Sequence, residues 1–186
     1  LLVPAGKPVD VALARLAPDL QPGDTVVDAG NSHFGDTQRR ARDLAARGIR
    51  LLGMGVSGGP EGARRGPALM AGGDLAAWRT AAPLFDTAAA RADDDQPCAG
   101  WMGPDGAGHF VKTVHNAIEY AEMQILAEVW DLLHRGDGQP HGAIAAVLRG
   151  WDEGPRSSFL LRRASRVLRT RDTDGHRLID RVRDEV

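Results

Sequence analysis

The sequence predicts an α/β domain with a mostly parallel sheet, followed by a region that is entirely helical. Up to about residue 105, short apolar segments with strand character alternate with amphipathic helical segments. Beyond that point the helical period continues with few strand signals. We therefore divide the chain into a first domain, residues 1–105, and the start of a helical domain, residues 106–186.

The first domain reads as alternating helices and strands. An amphipathic helix is expected over 8–20, and Asp36 is expected to cap a second helix that Gly48 ends. Asp74 is expected to cap a third helix, which runs to about residue 84. Strands are expected over 25–29, 49–54 and 67–70, with the pair Gly72-Gly73 as a turn, and a short strand near Trp101. This alternation favours parallel strands with helices on the faces of the sheet.

The helical region begins after a glycine-rich stretch, residues 103–108. One long helix is expected over 109–134, and shorter ones over 140–149, 156–170 and 176–186.

Composition narrows the classes of function. The net charge of −2 and the nine aromatic residues (four Trp, one Tyr and four Phe) argue against a nucleic-acid partner. Apolar runs fall short of the roughly 18 residues that span a bilayer, and one cysteine cannot form an intrachain disulfide. We expect a cytoplasmic protein. The chain does not begin with Met, and its first residues read as the end of a buried strand, so we expect an internal fragment.

The long helix carries an unusual polar stripe. At 100° per residue, Lys112, His115, Asn116 and Glu119 fall within about 100° of one another, with Tyr120 at the edge. Phe110, Val114, Ile118, Ala121, Ile125 and Leu132 form the opposite side. One interpretation is the solvated face of an ordinary amphipathic helix. Another is a functional site, because 21 of the 23 basic residues are arginine and Lys112 is one of two lysines.

Lysine and glutamate together suit acid–base chemistry. A buried ammonium can lose its proton near neutral pH, whereas a guanidinium effectively cannot, so Lys112 can act as a general base. Glu119, two turns further along, can act as an acid. A base and an acid on one rigid face suit a reaction with two proton transfers at neighbouring carbons.

Two loops that follow strands add polar groups. Gly30-Asn31-Ser32 and Ser57-Gly58-Gly59 stand where ligands bind in α/β folds, although each is also typical of a plain turn. The histidines show no spacing typical of zinc ligands, so no metal site is predicted. The chain has no Gly-x-Gly-x-x-Gly phosphate motif.

Three runs, residues 27–32, 55–64 and 106–120, closely resemble the decarboxylating 6-phosphogluconate dehydrogenases, and the likeness extends over essentially the whole chain. The resemblance implies the back half of a Rossmann-like NAD(P)-binding domain followed by the start of a helical catalytic and dimerisation domain. It also implies an oxidoreductase of the pentose phosphate pathway. Such an enzyme oxidises 6-phosphogluconate at C3 with NADP, releases CO2 and yields ribulose 5-phosphate without a metal.

The resemblance also implies residue roles. Lys112 would accept the proton of the C3 hydroxyl, and Glu119 would protonate C1 of the enediol. The implied substrate-binding residues are Asn31, Ser57, Gly58, Gly59, His115, Asn116 and Tyr120, the last at the phosphate. The implied cofactor-binding residues are Val3, Pro4, Ala5 and Asn31. Pro4 departs from the family, which usually has lysine there.

The front half of the cofactor domain and the later dimer-forming helices would lie outside this chain, so we expect a homodimer only in the full-length enzyme and no activity from the fragment. Two alternatives stay open. One is a non-decarboxylating β-hydroxyacid dehydrogenase such as 3-hydroxyisobutyrate dehydrogenase, which has no use for Glu119. The other is an inactive, truncated binding or assembly module.

Overall fold

A computed structural model describes residues 1–182. The chain divides into two compact units, Leu1–Asn116 and a second one that begins at Ala117. The helices of the first unit are α1 (Lys7–Leu16), α2 (Phe34–Ala45), α3 (Gly59–Arg65) and α4 (Leu75–Ala88), and its strands are β1 (Thr25–Asp28), β2 (Arg50–Ser57), β3 (Ala68–Gly73) and β4 (Ala99–Gly103). The helix α5 (Ala107–Asp131) runs from the first unit into the second. The predicted boundary at residue 106 stays a prediction.

The four strands form one sheet in the order β1-β2-β3-β4. The outer pairs, β1 with β2 and β3 with β4, are parallel, but β2 and β3 are antiparallel, with Gly55 opposite Met70. A parallel connection needs a crossover of about a dozen residues or more. Only residues 58–67 join these strands, and seven of them form α3. The α/β class is confirmed, and the sheet is mixed.

Several predicted element bounds are wrong by a few residues. His33, not Asp36, caps α2, and its side chain accepts a hydrogen bond from the backbone N–H of Gly35. Asp74 does cap α4, with its carboxylate 2.6 Å from the backbone nitrogen of Ala77. Gly72 and Gly73 do not form a turn but are the last residues of β3.

The core of the first unit lies on both faces of the sheet, because consecutive residues of a strand point to opposite sides. Leu51 packs with residues of α1, β1 and α2, whereas Leu52 packs with Trp78 of α4 and other residues of β2 and β3. On the face of Leu51, the next positions of β2 are Gly53 and Gly55. This face therefore offers a shallow surface beside its apolar cluster.

The second unit is helical. After α5, a π-helical turn covers Leu132–Gly136, followed by α6 (His141–Asp152), α7 (Phe159–Arg169) and a 3₁₀ turn at Leu178–Arg181. Ile144, Leu148, Leu161 and Leu168 form its core. No helix among residues 1–182 is long and apolar enough to cross a membrane.

The helix predicted over 176–186 is wrong in its first part. Asp172 accepts hydrogen bonds from the backbone N–H groups of Asp174 and His176 and so holds a turn there, with Gly175 at a φ of 84°. A helix cannot start until this turn is complete. Residues 183–186 of the predicted helix lie outside the described residues.

Candidate functional site

The first turns of α5 lie directly on the glycine face of the sheet. A Cβ at Gly55 would collide with the Cβ of Lys112 and would lie 3.1 Å from its Cγ. A Cβ at Gly108 would lie 2.6 Å from the backbone nitrogen of Gly72, which rules out a side chain here. Lys112 is consequently only 8% exposed. The interpretation of the stripe as a solvated face is wrong at Lys112.

The imidazole of His115 connects α5 with the end of β2. Its Nε2 lies 3.3 Å from Oγ of Ser57, the last residue of β2. Its Nδ1 lies 3.4 Å from Oδ1 of Asn116. Because a carboxamide oxygen can only accept, this orientation places the proton on Nδ1 and leaves Nε2 to accept from the serine hydroxyl. The structure thus brings Ser57 together with His115 and Asn116, residues that the sequence singled out on two separate segments.

Two glycines follow Ser57: Gly58, which precedes α3, and Gly59, the first residue of α3. Gly58 adopts a φ of 129°, and a Cβ there would lie 2.8 Å from Cα of Gly62. Gly59 has a φ of 58°, and a Cβ there would meet no heavy atom within 4 Å. Both glycines are exposed, so a ligand can approach the backbone next to Ser57.

The loop after β1 lies against the segment that precedes α1. The buried carboxylate of Asp28 accepts from the backbone N–H of Gly30 at 3.1 Å. A Cβ at Gly30 would lie 2.8 Å from the carbonyl oxygen of Val3, so the two segments touch. Asn31, Pro4 and Ala5 are exposed, and Val3 is half-buried. The residues predicted to bind the cofactor therefore lie on neighbouring segments.

The second unit contains the other two predicted residues of the stripe. Glu119 is half-buried and Tyr120 is 69% exposed. Within α5, Glu119 follows Lys112 by seven residues, which is about two helical turns.

A buried polar network, not predicted from the sequence, adjoins the loop after β1. Arg40 of α2 is enclosed, with hydrogen bonds to Asp10 of α1 and to Ser32. The guanidinium groups of Arg40 and Arg39 lower the pKa of Asp10 to about 2. An acidic residue inside an apolar strand, Asp28, was the available signal, because a buried carboxylate needs partners. The sequence could not tell which of Arg39 and Arg40 supplies one.

His109, one turn before Lys112, is another buried polar residue of the first unit. It is 1% exposed, and its Nδ1 lies 2.7 Å from Oγ1 of Thr37. Its Nε2 has no hydrogen-bond partner within residues 1–182. Burial lowers the pKa of His109, against an opposing effect of the Asp28 carboxylate.

Among the described residues, Asp172, Asp174 and His176 have potential metal ligand atoms within 4.8 Å of one another. The Asp172 carboxylate already accepts backbone hydrogen bonds, and its Oδ2 lies 3.4 Å from Nε of Arg181. These three residues belong to the turn that Asp172 holds after α7, and its hydrogen bonds account for their closeness.

Both parts of the chain match models of known protein families. Residues 1–103 match the model of the NAD binding domain of 6-phosphogluconate dehydrogenase. Residues 108–186 match the model of the C-terminal domain of the same enzyme.

Individual relatives agree with the family models. The chain is 50% identical over 184 residues to the decarboxylating 6-phosphogluconate dehydrogenase of Schizosaccharomyces pombe, which covers 99% of the chain and 37% of that protein. Identity to the human protein of that name is 45%, over 99% of the chain and 38% of the human protein. The chain therefore spans less than two-fifths of these curated relatives.

Among solved structures, the chain is similar to Plasmodium falciparum 6-phosphogluconate dehydrogenase, which was studied with its cofactor NADP+ and its substrate 6-phosphogluconate. The TM-score is 0.90 at 30% identity, over 98% of this chain and 39% of that one. A 3-hydroxyisobutyrate dehydrogenase from Salmonella typhimurium gives a TM-score of 0.71 at 25% identity, over 87% of this chain and 54% of that one. Since family models match nearly the whole length, the chain belongs to the 6-phosphogluconate dehydrogenase family.

Proposed function

We propose that the protein containing this chain is an NADP-dependent, decarboxylating 6-phosphogluconate dehydrogenase. It converts 6-phosphogluconate to ribulose 5-phosphate and CO2, acts as a cytoplasmic homodimer, and this chain contributes its catalytic residues. The observation that carries the proposal is the enclosure of Lys112 beside the His115–Ser57 pair, in a chain of this family.

Lys112 is the base of the oxidation step. It accepts the proton of the C3 hydroxyl while the C3–H bond breaks. Lysine suits this step because an amine can accept a proton, whereas a guanidinium effectively cannot, and Lys112 is enclosed by the glycine face. Ser57, Gly58, Gly59, His115 and Asn116 bind the sugar acid next to it, through hydroxyl, imidazole, amide and backbone groups.

The segment Val3–Ala5 and the exposed Asn31 fit one edge of a cofactor site. The contact between Gly30 and Val3 brings these residues together, and no side chain at Gly30 blocks the approach. When bound, NADP supplies the acceptor for the hydride that leaves C3. Asn31, which is exposed on the loop after β1, is proposed to contact both cofactor and substrate.

Glu119 is the acid of the last step. Oxidation at C3 leaves a β-keto acid, whose C1 carboxylate departs as CO2 when the C1–C2 bond breaks. The electron pair of that bond forms an enediol, and Glu119 donates a proton to its terminal carbon, which becomes C1 of ribulose 5-phosphate. Tyr120 binds the phosphate.

The experiment that tests the proposal offers the full-length protein two substrates. With 6-phosphogluconate labelled with ¹³C at C1 and NADP, we expect reduced cofactor and labelled CO2 in equal amounts. With 3-hydroxyisobutyrate and either nicotinamide cofactor, we expect rates at background. Preferred oxidation of 3-hydroxyisobutyrate without CO2 would establish the non-decarboxylating alternative, and no turnover of either substrate would favour a binding or assembly module.

A further inference from the structure

The guanidinium of Arg40 lies where three segments of the first unit meet. Its side chain is 1% exposed. Nε donates to Oδ1 of Asp10 at 2.8 Å, and Nη2 donates to the carbonyl oxygen of Gly6 at 2.9 Å. Nη1 donates to Oγ of Ser32 at 3.3 Å and lies 3.8 Å from Oδ2 of Asp28. Two of its nitrogens therefore face the start of α1, and the third faces the loop after β1.

Two of these partners flank exposed residues with proposed ligand contacts. Gly6 follows directly on Val3, Pro4 and Ala5, the proposed cofactor segment. Ser32 follows directly on Asn31, whose other neighbour, Gly30, is also fixed because its N–H donates to Asp28. The backbone next to both segments is thus held by hydrogen bonds to the buried side chains of Arg40 and Asp28.

The hydroxyl of Ser32 bridges the carboxylate of Asp28 and the guanidinium of Arg40. It donates to Oδ2 of Asp28 at 2.6 Å and accepts from Arg40. Asp28 is completely buried, so its negative charge depends on hydrogen bonds and on the nearby guanidinium. Charge-assisted hydrogen bonds in a buried site are short, directional and strong, which suits them to fix a backbone position.

We propose that Arg40 is a positioning residue that sets the distance between the Val3–Ala5 segment and Asn31, and so the geometry of the cofactor edge. This inference rests on the proposed function, since it assigns those segments to NADP. Arg40 touches neither ligand. The planar guanidinium carries three separate nitrogens, which donate to a carboxylate, a carbonyl and a hydroxyl in three directions. A lysine has a single nitrogen and does not reach all three acceptors.

The test compares variants of the full-length protein at matched folded fraction, measured by thermal melting and circular dichroism. For Arg40→Met we expect the Kd and KM for NADP to rise by about tenfold or more, the loss of one or two charged hydrogen bonds. The KM for 6-phosphogluconate should rise much less. Arg40→Lys should recover only part of the cofactor affinity. Arg39→Met is the matched control: Arg39 is the preceding residue, is 47% exposed and also bonds Asp10, and its removal should leave both constants within about twofold.

If Arg40→Met does not fold, Ser32→Ala tests the same idea with the loss of one oxygen atom, and a rise of the NADP constant by several-fold is expected. A purely structural role would lower kcat or melting temperature and leave the Kd for NADP unchanged in Arg40→Met, Arg40→Lys or Ser32→Ala, which would overturn the inference. A parent protein that binds neither NADP nor 6-phosphogluconate would instead overturn the proposed function. Direct NADP titration of the parent separates the two failures.

Discussion

Two buried residues of α5, His109 and Lys112, show how position controls acid–base behaviour. They lie about one turn apart and both pack on glycines of β2, Gly53 and Gly55. Burial lowers the pKa of His109, whereas Lys112 is proposed to exchange a proton with substrate. Glycine at the facing positions is what allows either side chain to fit.

Lys112→Arg in the full-length protein should abolish nearly all oxidation although the positive charge is kept, because a guanidinium cannot accept the hydroxyl proton near neutral pH. A loss of about 10² to 10⁴ in kcat is expected for removal of a general base. The measurement is the rate of NADPH formation at saturating substrate. Lys7→Arg, at the exposed start of α1, is the matched control and should keep the parent rate. Activity of Lys112→Arg within about threefold of the parent would show that the lysine only binds.

Because His109 is buried, we expect the protein to lose stability in mild acid. Because burial lowers its pKa below the ordinary value of 6.5, the unfolded chain binds a proton at a higher pH than the folded chain. The free energy of unfolding should therefore decrease as pH falls below 6.5, with a contribution of up to about 1.4 kcal/mol per pH unit. Urea unfolding between pH 7.5 and 5, run on the parent and on His109→Asn, measures this contribution. The slope should be smaller in the variant, and equal slopes would contradict the prediction.

At the level of elements, the junction of α5 with β2 and β3 depends on small residues on both sides. A Cβ at Gly72 would meet the backbone nitrogen of Ala107 at 2.9 Å, and one at Gly53 would lie 2.9 Å from Nδ1 of His109. The backbone of α5 therefore lies directly against the backbone of the sheet. Larger side chains at these positions would prevent so close an approach. Lys112 therefore packs against the sheet, and His115 lies close to Ser57 at the end of β2.

Two helical glycines separate this packing effect from helix propensity. Gly108→Ala should destabilise the protein by at least about 2 kcal/mol, because its Cβ would overlap backbone atoms of β2 and β3 that cannot move independently. Gly150→Ala in α6 should stabilise it by about 0.5–1 kcal/mol, because a Cβ there meets no heavy atom within 4 Å and alanine favours helix. Chemical denaturation of both variants measures the difference. A stabilising Gly108→Ala would show that α5 can move away from the sheet.

For the molecule as a whole, α5 is the central element. It contains the proposed base and the proposed acid, and most of it lies within the residues that match the C-terminal family model. The chain spans 37% of its fission-yeast relative, and the family models match a cofactor-domain part and a C-terminal part of it. The distinction from 3-hydroxyisobutyrate dehydrogenases depends on whether a second proton transfer occurs.

Glu119→Gln in the full-length protein should separate oxidation from the last proton transfer, because an amide keeps the geometry but cannot donate a proton as an acid. Rapid mixing with 6-phosphogluconate and NADP should give a burst of NADPH followed by slow turnover. The burst reports oxidation, and the slow phase reports protonation of the enediol. A variant without a burst, with a large primary deuterium isotope effect at C3, would place Glu119 in the hydride step or in binding. Glu122→Gln, in the next turn of α5, serves as control and should keep single-phase kinetics.

The α/β class, the long helix and the Asp74 cap could be predicted from the sequence, as could the spacing that puts Lys112, His115, Asn116 and Glu119 on one stripe. These depend on local periodicity and hydrogen bonding, which a chain segment carries with it. Tertiary structure decided the antiparallel pairing of β2 with β3, the burial of Lys112 and the choice of Arg40 over Arg39 as the enclosed cation. Each of these depends on contacts between residues far apart in sequence: Gly55 with Lys112, and Arg40 with Gly6, Asp10, Asp28 and Ser32. Local pattern cannot encode such contacts, because the same glycine or arginine serves equally well in a solvent-exposed turn or helix until the fold brings its partner close.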